Sequence, residues 1–110
     1  MTVQFYFKPT KLEQQMDAHF ISFKQEIIDH LTAKVEAQKA IEISEILVEI
    51  SQETHTSSNF RAEVRLVPLK SSVFDEIRVV EEHKDYLPAI RHAANKAIEI
   101  LMEEKNRIID

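Results

Sequence analysis

A chain of 110 residues that is 44% apolar and 30% charged can bury one modest core and is too apolar to stay disordered. With no glycine and no cysteine it cannot carry phosphate-cradling loops, dinucleotide fingerprints, the strained turn of a serine-hydrolase nucleophile, disulfides or thiolate metal sites. Fourteen basic against nineteen acidic residues leave a formal charge of -5, which opposes a purely electrostatic nucleic-acid binder.

Residues 3–8 alternate Val3, Phe5 and Phe7 with Gln4, Tyr6 and Lys8, the period of a half-buried strand that Pro9 ends. Thr10 and Glu13 form a capping-box pattern. The residues Leu12, Met16, Phe20, Phe23, Ile27, Leu31 and Val35 then recur every three or four positions, which predicts one long helix from about Lys11 to about Gln38, its stripe widened by Ile21 and Ile28. Ile43 to Ser51 reads as a second strand with Ile46, Val48 and Ile50 on one face, and the polar run Gln52 to Asn59 as a turn. Phe60, Ala62, Val64 and Leu66 alternate with Arg61, Glu63 and Arg65 in a third strand, broken by Pro68 to Ser72. A fourth strand is expected over Val73 to Glu82. Asp85 as N-cap and Pro88 in the first turn open a last helix marked by Leu87, Ile90, Ala94, Ala97, Leu101 and Ile108.

The order is β-α-β-β-β-α, an α+β fold. Its expected form is a four-stranded mixed sheet, with the first two strands parallel through a right-handed crossover and both helices packed on one face. The open face would carry Gln4, Tyr6, Lys8, Glu49, Ser51, Arg61, Glu63 and Arg65. No repeat or linker divides residues 1–110, so a single domain is expected. The longest apolar runs are three residues, so no membrane span or signal segment is expected.

The segment Ile77 to Leu101 resembles the ribosome hibernation-promoting factor and ribosome-associated inhibitor A family. The resemblance lies in an acidic N-cap, an aromatic, Ala-Ile, and then a Lys and a Leu along the last helix: Asp85, Tyr86, Ala89, Ile90, Lys96 and Leu101. Phe60 to Leu66 and Val3 to Phe7 look like the family's third and first strands. Arg91 stands where the family usually has Asp, the first helix is longer and less basic, and no Asn-Gly hairpin follows the third strand. The resemblance implies a cytoplasmic, non-enzymatic stress-response protein without cofactor, substrate or membrane partner. Such a protein binds small-subunit rRNA and blocks the tRNA and mRNA sites, inhibiting translation and sparing idle ribosomes. It leaves homodimerisation open.

Phosphate contacts supply most of the affinity of an RNA binder, so its cations should cluster. Residues 1–9, 10–39, 40–84 and 85–110 carry +1, -1, -4 and -1, and no segment is strongly basic. On the last helix Lys84 and Arg91 share one flank and Lys96 and Arg107 the other, while Arg61 and Arg65 share the open sheet face, with Arg78 near them. These six (Lys84, Arg91, Lys96, Arg107, Arg61 and Arg65) are the candidate rRNA contacts. Flanking cations also simply solvate a helix, and Glu99 or Glu103 can pair with Lys96. Tyr6 and Tyr86 offer rings for base stacking, although at a helix start Tyr86 reads as packing.

Other chemistry finds little support. No two of the histidines, His19, His30, His55, His83 and His92, have the i, i+4 spacing of a helical metal pair, and His19 and His30 would lie about 16 Å apart. Ser51 and His55 lack an orienting acid, and Glu81 and Glu82 point to opposite faces of a strand. The alternative function is a protein-interaction module on the same fold that has lost RNA binding, favoured by the net charge and by the small residues Ala89, Ala93, Ala94 and Ala97.

Overall fold

A computed structural model describes residues 1–38, 41–52, 59–69 and 74–109, excepting the side chains of residue 15 and residues 107–109. The elements follow the expected order: β1 (Thr2–Lys8), a 3₁₀ helix (Thr10–Gln15), α1 (Ala18–Glu36), β2 (Ile43–Gln52), β3 (Phe60–Pro68), β4 (Ile77–His83) and α2 (Tyr86–Ile109). They form one sheet in the order β1-β2-β3-β4. The β1–β2 pair is parallel, and the β2–β3 and β3–β4 pairs are antiparallel. Chain order is therefore also spatial order, and β1 and β4 are the two edges.

The pleat sorts the side chains. Ile46, Val48 and Ile50 of β2 and Ala62, Val64 and Leu66 of β3 are fully buried beneath the helices. Phe20, Phe23, Ile27, Leu31 and Val35 bring α1 onto this layer, and Ala89, Ile90, Ala93, Ala94, Ala97, Ile98 and Leu101 bring α2. The four alanines let α2 lie close to the sheet and to α1, so they are filled by the chain's own packing. They offer nothing to a partner. Edge-to-face rings link the layers: Phe20 packs on Phe5, Phe7 and Tyr86, at centroid separations of 5.6–6.3 Å, and Tyr86 on Phe60 at 5.6 Å.

Four expectations are corrected. The single long helix is two elements, because Met16 and Asp17 are extended and Asp17 Oδ1 accepts the Phe20 N–H at 3.2 Å. That side chain satisfies a donor which a continuous helix would have given to a backbone carbonyl. Thr10 is not a cap; Pro9 precedes the 3₁₀ turn, which seats Leu12 in the core. Ile21 is 72% exposed and does not widen the apolar stripe. The fourth strand begins at Ile77, and of the earlier start only residues 74–76 are described, none of them in a strand.

Candidate nucleic-acid interface

The open face of the sheet carries the expected charged residues, and the register sets them side by side. Arg65 and Arg78 are direct neighbours across β3 and β4, as are Arg61 and Glu82. Each cation already has a carboxylate. Lys8 Nζ lies 3.7 Å from Glu49, and an Arg61 Nη lies 3.7 Å from Glu63. Arg65 donates to one Glu76 oxygen through Nε at 3.0 Å and Nη2 at 2.6 Å. Arg78 donates from Nε to the other oxygen of Glu63. Glu63 is thereby buried beneath two guanidiniums, and the Arg78 hydrogen bond holds its carboxyl below the usual range despite the opposing effect of burial. The face is a self-neutralised ladder, and a phosphate reaching Arg61 or Arg65 has to displace a carboxylate.

The helical side is different. Contacts between Asp17 and Tyr86, Glu26 and Arg91, and His30 and Asn95 advance together along both chains, so α1 and α2 run parallel. Arg91 and Lys96 leave α2 on opposite flanks, as their spacing predicts. Arg91 turns toward α1, its guanidinium carbon 5.2 Å from the centre of the Phe23 ring and one Nη 3.4 Å from Glu26. A cation over a ring face is held without consuming its N–H donors, and the Glu26 contact is long and exposed. Lys96 turns toward β4, where its Nζ is 4.0 Å from Glu81. Lys84, in the turn before α2, is exposed and makes no ion pair among the described residues. Arg107 lies in the last turn of α2, and its side chain is outside the described set.

The start of α2 is fixed by packing. Tyr86 OH donates to Asp17 Oδ1 at 3.2 Å, and burial together with that bond raises its pKa. Its ring is enclosed by Phe20 and Phe60, so it is a packing residue as expected. Tyr6 is exposed on the sheet face, its hydroxyl on Gln4. One contact leaves no trace in the local sequence. His83, at the end of β4, and His92, in α2, meet edge to face with centroids 6.3 Å apart. The i, i+4 spacing of a helical pair cannot reveal it, because this pair closes across a strand–helix turn. Among the described residues no group of three or more potential ligands could hold a metal ion, and no helix is long and apolar enough to cross a membrane.

No family model and no curated protein matches the chain. A solved structure does: that of a ribosomal subunit interface protein from Coxiella burnetii, with a TM-score of 0.54, 16% identity, and coverage of 96% of this chain and 99% of that one. At this identity the likeness establishes the fold, from the first strand to the last helix.

Proposed function

We propose that this protein is a ribosome-associated translation inhibitor that binds the rRNA of the small subunit through α2 and occupies space needed by tRNA and mRNA. The observation that carries the reading is the full-length fold shared with a ribosomal subunit interface protein. The Asp85, Tyr86, Ala89, Ile90, Lys96 and Leu101 pattern at the start of the same α2 agrees with it. Fold alone does not fix function, so the contacts must come from this chain's own cations.

Lys84, Arg91 and Lys96 lead, with Arg107 further along the helix. Lys84 makes no ion pair among the described residues, Arg91 lies over a ring with one contact to Glu26 at 3.4 Å, and the Lys96 contact is at the limit of an ion pair. Arg61 and Arg65 rank second because their carboxylates must first be displaced. The mechanism is steric, with phosphate contacts positioning a rigid domain. The protein-interaction alternative loses its alanine surface to the core and retains only the acidic net charge.

The test is co-sedimentation of purified protein with small ribosomal subunits at low salt. Binding is expected, and the Arg91→Glu, Lys96→Glu double variant should weaken it by roughly tenfold or more. Absence of sedimentation at low salt would overturn the proposal. A concentration-dependent mass above the monomer's, without ribosome binding, would favour the alternative.

A further inference from the structure

We propose that His83 and His92 form a protonation-dependent phosphate contact on the β4 side of α2, so that binding to RNA takes up protons. The inference rests on the preceding assignment of α2 as the RNA-facing element, and it adds two residues and a regulation to it.

The two rings meet at an interplanar angle of 83°, His83 half-buried and His92 exposed. His83 Nδ1 accepts the Asp85 N–H at 3.0 Å, so in this arrangement that nitrogen carries no proton. The surrounding charges come from every neighbouring element. β4 supplies Glu81, with Glu82 on its opposite face, and the turn supplies Lys84 and Asp85. From α2 comes Lys96, paired with Glu81, with Glu99 beyond it. On β3, uncharged Phe60 lies opposite His83, and Arg61 lies opposite Glu82 but turns to Glu63 on the open face. Arg91 leaves α2 on the other flank toward Glu26. Residues 53–58, between β2 and β3, lie outside the described residues.

Around the ring pair, then, two ammonium groups (Lys84 and Lys96) face two carboxylates (Glu81 and Asp85), since Glu82 lies on the opposite, open face of the sheet with Arg61. That local charge of zero offers a phosphate backbone no net attraction, and two protons turn it to +2. Protonation of His83 at Nδ1 also replaces an N–H···N bond with two donors, the new Nδ1–H and the Asp85 N–H. They cannot satisfy each other, and a phosphate oxygen can accept from both. Histidine is the side chain suited to such a change near neutral pH. Because a bound phosphate favours the charged imidazoles, linkage requires that lowering the pH strengthen binding, by up to about tenfold per pH unit for each proton taken up.

The experiment uses the full chain and two readouts at fixed ionic strength in phosphate-free buffer. The first is affinity for small ribosomal subunits at pH 8 and pH 6. The second is the titration midpoint of each imidazole, followed by NMR with and without inorganic polyphosphate. Affinity of the unaltered protein should rise at least tenfold from pH 8 to pH 6, and polyphosphate should move the His83 and His92 midpoints upward. In the His83→Gln, His92→Gln variant the pH 6 to pH 8 affinity ratio should fall to within about twofold of unity. If that variant does not fold, His92→Gln alone, at an exposed position, should lose a measurable part of the ratio. An unchanged ratio in the variants, or midpoints indifferent to polyphosphate, overturns the proposal. Binding to subunits at both pH values with no gain overturns it while leaving the ribosomal assignment standing. Midpoints that shift without any subunit binding support the phosphate contact and overturn that assignment.

Discussion

Glu63 shows how one residue decides what a surface can do. It lies on the open sheet face, where alternation puts it in water, yet it is only 6% exposed because Arg61 and Arg78 close over it. Its carboxyl is held below the usual range in the folded chain by the Arg78 hydrogen bond. A lowered folded-state pKa gives stability that is present above the unfolded carboxylate range and lost as the pH falls through it. Glu63→Gln should therefore destabilise the protein at pH 7 by about 1–2 kcal/mol, the order for a hydrogen bond to a charged group. It should also flatten the decline in stability below the carboxylate range. Urea unfolding at pH 7 and at successively lower pH would measure both, and an unaltered acid limb in the variant would mean that another carboxylate sets it. The same substitution frees Arg61 and Arg78 from a counter-charge, so affinity for polyanions should rise if the face can be recruited at all.

At the scale of elements, Asp17 is the point on which the helical layer is pinned. One oxygen caps α1 through the Phe20 N–H and also receives the Tyr86 hydroxyl from the first residue of α2. Asp17→Ala removes both and should cost about 1–2 kcal/mol, the upper part of the range for a lost cap. A cycle with Tyr86→Phe, read by urea unfolding, separates the contributions. A coupling near zero would show that the hydroxyl contact adds nothing to the cap. This junction was also where the sequence was least legible. Strands β1 and β3 were readable because strict alternation of apolar and polar residues has no helical interpretation, β2 because it is a short run rich in Ile, Val and Leu, and the stripe from Phe20 to Val35 because it keeps the helical period. The break at Asp17 was hidden because Leu12 and Met16 fit the helical period, while an Asp mid-pattern announces a cap only when its side chain is seen to take the N–H. The candidate site was legible to the same depth. Spacing placed Arg91 and Lys96 on opposite flanks of α2, but the carboxylates that meet them, Glu26 and Glu81, come from elements distant in the chain. The closure of Arg65 on Glu76 and the meeting of His83 with His92 likewise depend on tertiary approach and leave no local pattern.

For the molecule as a whole, the charge arrangement sets how binding must depend on salt. The two helices run parallel, so their N-terminal ends lie together, beside the ends of β1 and β4 that carry Lys8 and Lys84. The C-terminal half of α2 carries the carboxylates Glu99, Glu103 and Glu104 against the two cations Lys105 and Arg107. An RNA backbone laid along α2 therefore meets attraction near the start of the helix and repulsion toward its end, which favours contact at one end over contact along its length. Lys84, and Arg91 and Lys96 once they loosen their exposed contacts to Glu26 and Glu81, are then the cations nearest that end, and about three phosphates neutralised should give a slope of log affinity against log salt of about -2 to -3. Between 50 and 200 mM salt that is a loss of roughly 20- to 40-fold, small for an RNA binder. A slope of about -4 to -5 would mean that Arg61, Arg65 and Arg78 leave their carboxylates and join the interface, in which case Glu63→Gln should steepen it no further. With the shallow slope, Lys84→Ala should reduce it by about one unit, because an ammonium with no ion pair among the described residues exchanges directly with the counterions of a phosphate. Subunit binding measured at four or five salt concentrations, for the unaltered protein and for Lys84→Ala, decides between a three-cation contact at the head of α2 and a broader surface assembled from the sheet.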